Sequence, residues 1–397
     1  MIENHYRETA QHAGTSKKHT NPNRRSVRSA LLVMALLLLC SLLTFAGRDR
    51  SFSEDENRYL QTKPRFSLTS VASGRFMQDM EAYLTDQFFA RDTLVRARAG
   101  IAVLFGRKEI NGVYVGRERF LFEVPSVYDA VTVDAAVGAI QTFAARHSDI
   151  RTWFALVPNA SEILSDWMPR HAPTENQTEQ IERICGALDG DIQTVDLCDA
   201  LKNSDNIQAL YYRTDHHWTT FAAYLAFQHL AAAMGLNTAG VDYDTYAVTD
   251  SFCGTLASSS GLFNARDSIY ITTSSVPMDT IVTYVDENRK SASIFDAAKL
   301  NGKNKYEVFF GGNFGQVRID TSAPSQRVLM VVKDSYANCL VPMLLPYYRT
   351  IIMIDPRYYT GDIAHTVKQE AVTDMLWLYN VNTFLTDTSI AEVFASD

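Results

Sequence analysis

The chain is short of the features that usually announce a function. Among 397 residues there are five cysteines and no Cys-x-x-Cys pair, so the spacing typical of a structural zinc site is missing and no metal site is assigned. Lys and Arg number 37 against 45 Asp and Glu, a net charge of -8. That balance gives no reason to expect nucleic-acid binding. No Gly-rich phosphate loop or other cofactor signature stands out, and no cofactor is expected.

One long apolar run is present. It extends without a charge from Ser29 to Gly47 and follows Lys17, Lys18, Arg24, Arg25 and Arg28. At about 18 to 19 residues it sits at the short end of what crosses a bilayer. Positive charge on its N-terminal side predicts a cytoplasmic tail over 1–28, a transmembrane signal anchor over 29–47, and everything after Gly47 outside the cell. A cleaved signal peptide is the competing reading, with Phe45-Ala46-Gly47 offering small residues to a peptidase. The long leader and long apolar core favour retention. Cys40 lacks the small neighbour expected of a lipid-modified cysteine and reads as lipid-facing. Cys185, Cys198, Cys253 and Cys339 leave two disulfides possible but not required. Cys185 shares helical spacing with Ile181, Ile184 and Leu188, as a buried free thiol would.

Residues 48–110 read as a polar stalk followed by bracing helices, with Phe76, Met80, Tyr83, Leu84 and Phe88 at helical spacing. A hairpin is expected over Val113–Phe122. From there to the C-terminus short apolar runs, Thr152–Val157, Val328–Val332, Thr350–Ile354 and Met375–Tyr379, are separated by helical patterns. That rhythm predicts an α/β domain over 111–397, with a mostly parallel sheet covered by helices on both faces. Residues 240–323 are richer in Gly, Ser, Thr, Asp and Asn and read as an insertion of hairpins and loops, either a cleft wall or a structural lid.

Two segments carry the chemistry. Thr214-Asp215-His216-His217-Trp218-Thr219 precedes a strong helix, and Lys333-Asp334-Ser335-Tyr336-Ala337-Asn338 follows a buried strand, more than a hundred residues later. A serine hydroxyl needs a neutral imidazole to take its proton, and the imidazole needs a carboxylate to fix its tautomer. In an extended loop, residues two apart project to one side, so Asp215 and His217 can lie together while His216 points away. Asp215 is therefore expected to orient, His217 to act as base and Ser335 as nucleophile. A helix cap, or a metal site from Asp215, His216 and His217, are the other readings of the first segment. The Ser335 amide is a first oxyanion donor, and Asn159, Gly254 or the Gly311-Gly312-Asn313 turn supplies a second. Trp218, Tyr336 and Arg357 are candidate substrate contacts.

Thr-Asp-His-His-Trp-Thr followed far downstream by Lys-Asp-Ser-Tyr-Ala-Asn resembles the bacterial DHHW protein family, which is itself similar to the SGNH-like alginate O-acetyltransferases. The likeness extends to Tyr83-Leu-Thr-Asp-Gln-Phe88, Val157-Pro-Asn-Ala-Ser161, Gly311-Gly-Asn313 and Leu378-Tyr-Asn-Val-Asn-Thr-Phe384. The resemblance implies an SGNH-hydrolase-like fold and transfer of an acetyl group through an acyl-serine to extracytoplasmic polysaccharide. It also implies a multipass membrane O-acyltransferase as acetyl donor. It assigns Asp215, His217 and Ser335 the roles given above. The chain departs from the alginate relatives in carrying Asp334 before the serine, where a Gly-Thr-Ser pattern is usual. A carbohydrate esterase with the same triad, or a non-catalytic polysaccharide-binding or assembly subunit, are the alternative expectations.

Overall fold

The computed structural model describes residues 22–188 and 190–395, with side chains from Ser26 onward apart from that gap. Lys17 and Lys18, with residues 1–21 of the expected tail, lie outside the described residues, as do the side chains of Arg24 and Arg25. The chain divides into two units: the N-terminal helix with residues 59–91, and residues 52–58 with those from Asp92 on.

In the first unit a helix spans Pro22–Ala46. Its stretch Ser26–Ala46, 21 residues of mean hydropathy 2.5, has no fully buried residue. At 1.5 Å per residue that stretch is about 31 Å long, enough to cross a membrane. Two more helices, Leu68–Ala72 and Arg75–Asp86, follow. The Tyr83 hydroxyl donates to Asp49 at 2.9 Å, and Asp86 accepts from the Gln61 amide at 2.8 Å. Tyr83 alone of its helically spaced row is fully buried, whereas Leu84 is exposed.

The second unit is built on an eight-stranded sheet. In chain order its strands are β1 (Arg151–Val157), β2 (Ile192–Thr194), β3 (Thr280–Tyr284), β4 (Arg289–Ser291), β5 (Gln316–Thr321), β6 (Val328–Lys333), β7 (Thr350–Ile354) and β8 (Asp374–Asn380). Their spatial order is β4-β3-β5-β7-β6-β8-β1-β2. The five strands from β7 to β2 are parallel, and β5, β3 and β4 continue the sheet antiparallel. β6, β7 and β8 are buried on both faces, as their unbroken apolar sequences require. Alternation sends Leu329 and Val331 into one core, and Val328, Met330 and Val332 into the other. The first core is closed by helix Thr220–Ala233, capped by Thr219, and by 3-10 turns over 341–347. Helices Ala130–Arg146, Gln177–Ala187, Ile363–Glu370, Val381–Thr386 and Ser389–Phe394 close the second.

The connections place a crevice. After β6 the chain forms β7 on one side, then returns to form β8 on the other side of β6. Such a reversal of strand order opens a gap at the strands' carboxyl ends, where ligands of open α/β sheets bind. Ser335 lies immediately past β6 at that gap.

The stretch 240–323 is more integrated than an appended insertion. β3, β4 and β5 all come from it, and β5 pairs with β7 to extend the central sheet. Its remaining strands, Tyr243–Phe252 and Asp267–Ser274, form a separate antiparallel ribbon. The β-prone piece Tyr306–Phe310 forms a 3-10 turn over Lys305–Val308 instead of a strand. The five cysteines are all free thiols. Burial pushes the Cys198 and Cys339 thiols up to about 12 and Cys185 to about 11, which keeps them protonated and inert.

Candidate active site

The first segment folds as a tight loop just ahead of helix Thr220–Ala233. Its compactness comes from Asp215, whose Oδ1 accepts from the His217 backbone amide at 3.0 Å and lies 2.5 Å from His217 Nδ1. The ring is thereby turned so that His217 Nε2 stands 2.7 Å from Ser335 Oγ. Asp215, His217 and Ser335 form one hydrogen-bonded row, although His217 and Ser335 are 118 residues apart in sequence. The spacing argument for Asp215 and His217 agrees with this geometry. His216 does not point away as expected: its ring lies against that of His217, with centroids 4.0 Å apart, and its Nδ1 is 2.7 Å from Thr255 Oγ1.

Asp215 is held from behind by the 240–323 stretch. Its Oδ2 accepts from the Thr255 amide at 2.8 Å and the Thr255 hydroxyl at 3.0 Å. Gly254 has to be glycine, because an added Cβ would fall 2.2 Å from Asp215 Oδ2. Asp267 on the ribbon takes the amides of Arg213 and Thr214 at 3.0 and 2.9 Å, together with the Thr214 hydroxyl. That hydroxyl in turn accepts from the Gly254 amide at 3.1 Å. The stretch read as a wall or lid therefore supplies the brace for the acid.

Electrostatics follow from burial. Desolvation alone would raise Asp215, but the charges of His216 and His217 and the bonds from His217 and Thr255 outweigh it, and the carboxyl lies well below its ordinary range. Burial drives His217 down to about 4, with repulsion from His216 adding and the pull of Asp215 opposing. The imidazole is thus neutral at pH 7, as a general base must be. The Tyr306 ring stacks on His217, with centroids 3.8 Å apart and planes 16° from parallel, and its hydroxyl donates to the Ser335 carbonyl at 3.3 Å.

The second segment is fixed by Asp334. Its Oδ1 accepts from the Tyr336 amide and its Oδ2 from the Asn380 amide, both at 2.9 Å. The turn carrying Ser335 is thereby pinned to the end of β8. Lys333, buried under it, lies 3.6 Å from Asp355 and 3.1 Å from Asn313 Oδ1.

Several expected contacts sit elsewhere. Trp218 and Tyr336 are wholly buried. Trp218 Nε1 donates to the Tyr336 carbonyl at 2.9 Å, and the Tyr336 hydroxyl donates to the His216 carbonyl. They lock the two segments together and offer no surface to a ligand. The Gly254 amide is committed to Thr214, and the space a Cβ would take is filled by Asp215. Asn159 donates its backbone amide to Gln177 at 2.7 Å and its side-chain amide to Glu123 at 3.3 Å. The Gly311 and Gly312 amides close their own turn on the Glu307 and Phe309 carbonyls. Arg357 does reach the open side of the site. It lines a cavity of about 510 Å³ together with His216 and Asn380.

Asp215, His216 and His217 offer ligand atoms within 4.8 Å of one another. Asp215 Oδ1 and His217 Nδ1 face each other, however, and His216 Nδ1 faces Thr255. The donors engage one another and the serine, which is the arrangement of a proton relay and not of a converging ligand set.

Comparison with known proteins bears on the fold. Residues 116–303 match the family model described as SGNH hydrolase-like domain, acetyltransferase AlgX. The matched stretch includes Asp215 and His217 and stops short of Ser335. A DHHW family protein from Eubacterium siraeum has a similar structure, with a TM-score of 0.61 at 21% identity over 71% of this chain and 95% of that one. Bacillus cereus PatB1, solved with a sulfonyl adduct, gives 0.59 at 18% identity over 70% of this chain and 97% of that one. Curated proteins give no match. The chain resembles the DHHW proteins and the SGNH-like acetyltransferase domain, and its fold is the SGNH-like α/β fold.

Proposed function

We propose that the protein is an O-acetyltransferase that moves an acetyl group through an acyl-Ser335 onto a cell-surface or exported polysaccharide. The observation that carries this reading is the row Asp215 Oδ1, His217 Nδ1, His217 Nε2 and Ser335 Oγ, with successive gaps of 2.5 and 2.7 Å. His217 Nε2 takes the Ser335 proton as Oγ attacks the acetyl carbonyl, then returns that proton to the departing group. In the second half His217 deprotonates the acceptor hydroxyl, whose oxygen attacks the acetyl-serine, and Ser335 leaves with the proton restored. The Ser335 amide at the start of its turn is the first donor for the tetrahedral oxyanion.

The apolar helix Ser26–Ala46 and the basic leader before it support retention as a signal anchor, with the catalytic unit outside the cytoplasm. Acetyl would then reach Ser335 from a multipass O-acyltransferase in the same membrane.

Mass spectrometry after exposure to p-nitrophenyl acetate tests the core of this reading. The expected result is one acetyl adduct on Ser335, lost in Ser335→Ala and slowed by about a thousandfold or more in His217→Ala. Equal labelling of all three proteins removes the triad and leaves a binding or assembly role. An adduct discharged to water at the same rate with and without sugar makes the protein an esterase.

A further inference from the structure

The cavity of about 510 Å³ beside the Asp215-His217-Ser335 row is within the size range of small-molecule sites. His216 joins the two, since its ring lies 4.0 Å from that of His217 and it also lines the cavity. No Phe, Tyr, Trp or aliphatic side chain other than threonine lines it. Recognition there has to come from hydrogen bonds.

Those hydrogen bonds are asymmetric. Glu123 is held rigidly, with Oε2 accepting from the Asn382 side chain at 2.9 Å and from Asn159 at 3.3 Å. The Asn382 amide cannot flip, because its oxygen already accepts from the Ser126 amide and the Gln177 side chain, both at 3.0 Å. Asp387 is buried and uses Oδ1 for the Ser389 amide and hydroxyl, while its Oδ2 has no partner among the described residues. A buried carboxyl oxygen left unpaired is costly, and a ligand hydrogen would relieve it once the Asp387 side chain, which lines the cavity, turns Oδ2 toward it. Arg357 is the cavity's cation, but Asp355 grips it through two bonds of 2.8 and 2.7 Å. Its charge is matched within the protein, and an acidic sugar would bring a third carboxylate against Glu123 and Asp387.

We infer that this cavity is the acceptor subsite and takes a non-acidic pyranose, held by hydroxyl or ammonium hydrogens donated to Glu123 and Asp387. The inference rests on the acetyl-transfer reading for the word acceptor. Its preference for a sugar without a carboxylate is independent of turnover. Arg357 then positions a ring oxygen or hydroxyl and does not select an anionic polymer.

Calorimetric titration of the full-length protein in detergent with cellopentaose, chitopentaose and pentagalacturonate tests this. The expected result is that at least one non-acidic oligomer binds about tenfold or more tighter than pentagalacturonate. Asp387→Asn keeps the Oδ1 acceptor and puts a donor where Oδ2 was. It should weaken the non-acidic ligand about tenfold and narrow the preference, and Glu123→Gln should act in the same sense. A fold defect would weaken all ligands alike, so the ratio is the diagnostic quantity. Equal or tighter binding of pentagalacturonate, no binding of either non-acidic oligomer at millimolar concentration, or an unchanged ratio in both variants overturns the inference. Selective binding without a Ser335 adduct instead overturns the acetyl-transfer reading and leaves the sugar site standing.

Discussion

Asp215 and Asp334 are both buried acids beside His217 and Ser335, yet their surroundings push them in opposite directions. Burial raises both. At Asp215 two imidazoles and the Thr255 donors reverse that effect, whereas at Asp334 burial prevails over Arg357 and two backbone amides. The difference separates two jobs. In the proposed transfer Asp215 would keep a negative charge where an imidazolium forms, whereas Asp334 holds the Ser335 turn against β8 with hydrogen bonds to backbone amides.

The sharpest way to break that comparison is to replace each acid by its amide. In Asp215→Asn, a side-chain NH2 facing His217 leaves the imidazole proton on Nε2, turned toward Ser335, and an NH2 facing Thr255 sets donor against donor. The first orientation reverses the tautomer the relay needs, and the second keeps the His217 hydrogen bond but without the charge that would stabilise an imidazolium. Acetylation of Ser335 should fall about a thousand- to ten-thousand-fold, some 4 to 5.5 kcal/mol of barrier, with folding retained. Asp334→Asn must set its NH2 against one of two backbone amides, so its main effect should be a loss of about 1 to 3 kcal/mol of stability. Stopped-flow acylation and thermal unfolding of the two variants side by side check the division. Equal rate losses would mean that Asp334 has a share in the chemistry.

Gly254→Ala reaches the same contrast without touching a charge. The new Cβ would displace the Asp215 carboxylate, while nothing near Asp334 changes. Acylation should drop about ten- to a hundredfold, with roughly 1 to 3 kcal/mol of stability lost. A rate like that of the unaltered protein would show that Asp215 tolerates movement.

The pH profile sharpens it further. His217 is depressed from 6.5 to about 4, so the acid limb of acylation should lie near pH 4. Between pH 6.5 and 4 the unfolded chain binds the proton that folded His217 refuses, so this site lowers stability as pH falls through that window. The depressed Asp215 contributes stability above 3.8 that is lost at lower pH, and the raised Asp334 has the opposite sign, with its contribution lost as pH rises. An acid limb near 6.5 would contradict the burial described for His217.

Why Asp215, His217 and Ser335 were legible in the sequence, and their support was not, follows from range. The Asp-x-His spacing fixes two side chains within one loop, and a serine directly after a buried strand identifies the carboxyl edge of a sheet. Thr255, Asp267 and Tyr306 reach the site only through folding of the 240–323 stretch. Their sole local signal was the turn-forming Cys253-Gly254-Thr255, which pointed to an oxyanion donor and proved to be the back of Asp215. Trp218 and Tyr336 misled for a related reason, since an aromatic beside a reactive residue looks the same in sequence whether it faces a ligand or the core. The parallel strands were visible as apolar runs buried on both faces. β3 and β5 were not, because strands at the antiparallel side of the sheet alternate with polar residues and reveal their place only by pairing, β5 with β7 and β3 with β5.

The smallest expected effect belongs to Tyr306→Phe. The ring that stacks on His217 is retained, so the depressed imidazole and its orientation should persist. Only the hydroxyl bond to the Ser335 carbonyl is lost, and at 3.3 Å to a backbone acceptor it is a weak one. Acylation should fall by about two- to fivefold, with the acid limb still near 4, whereas Tyr306→Ala opens the ring face to water and should move that limb upward toward 6.5. A Phe variant whose limb shifts as far as that of the Ala variant would place the effect in the hydroxyl. Otherwise desolvation by the stacked ring separates the environment of His217 and Asp215 from that of Asp334, which has no such cover over a reacting group.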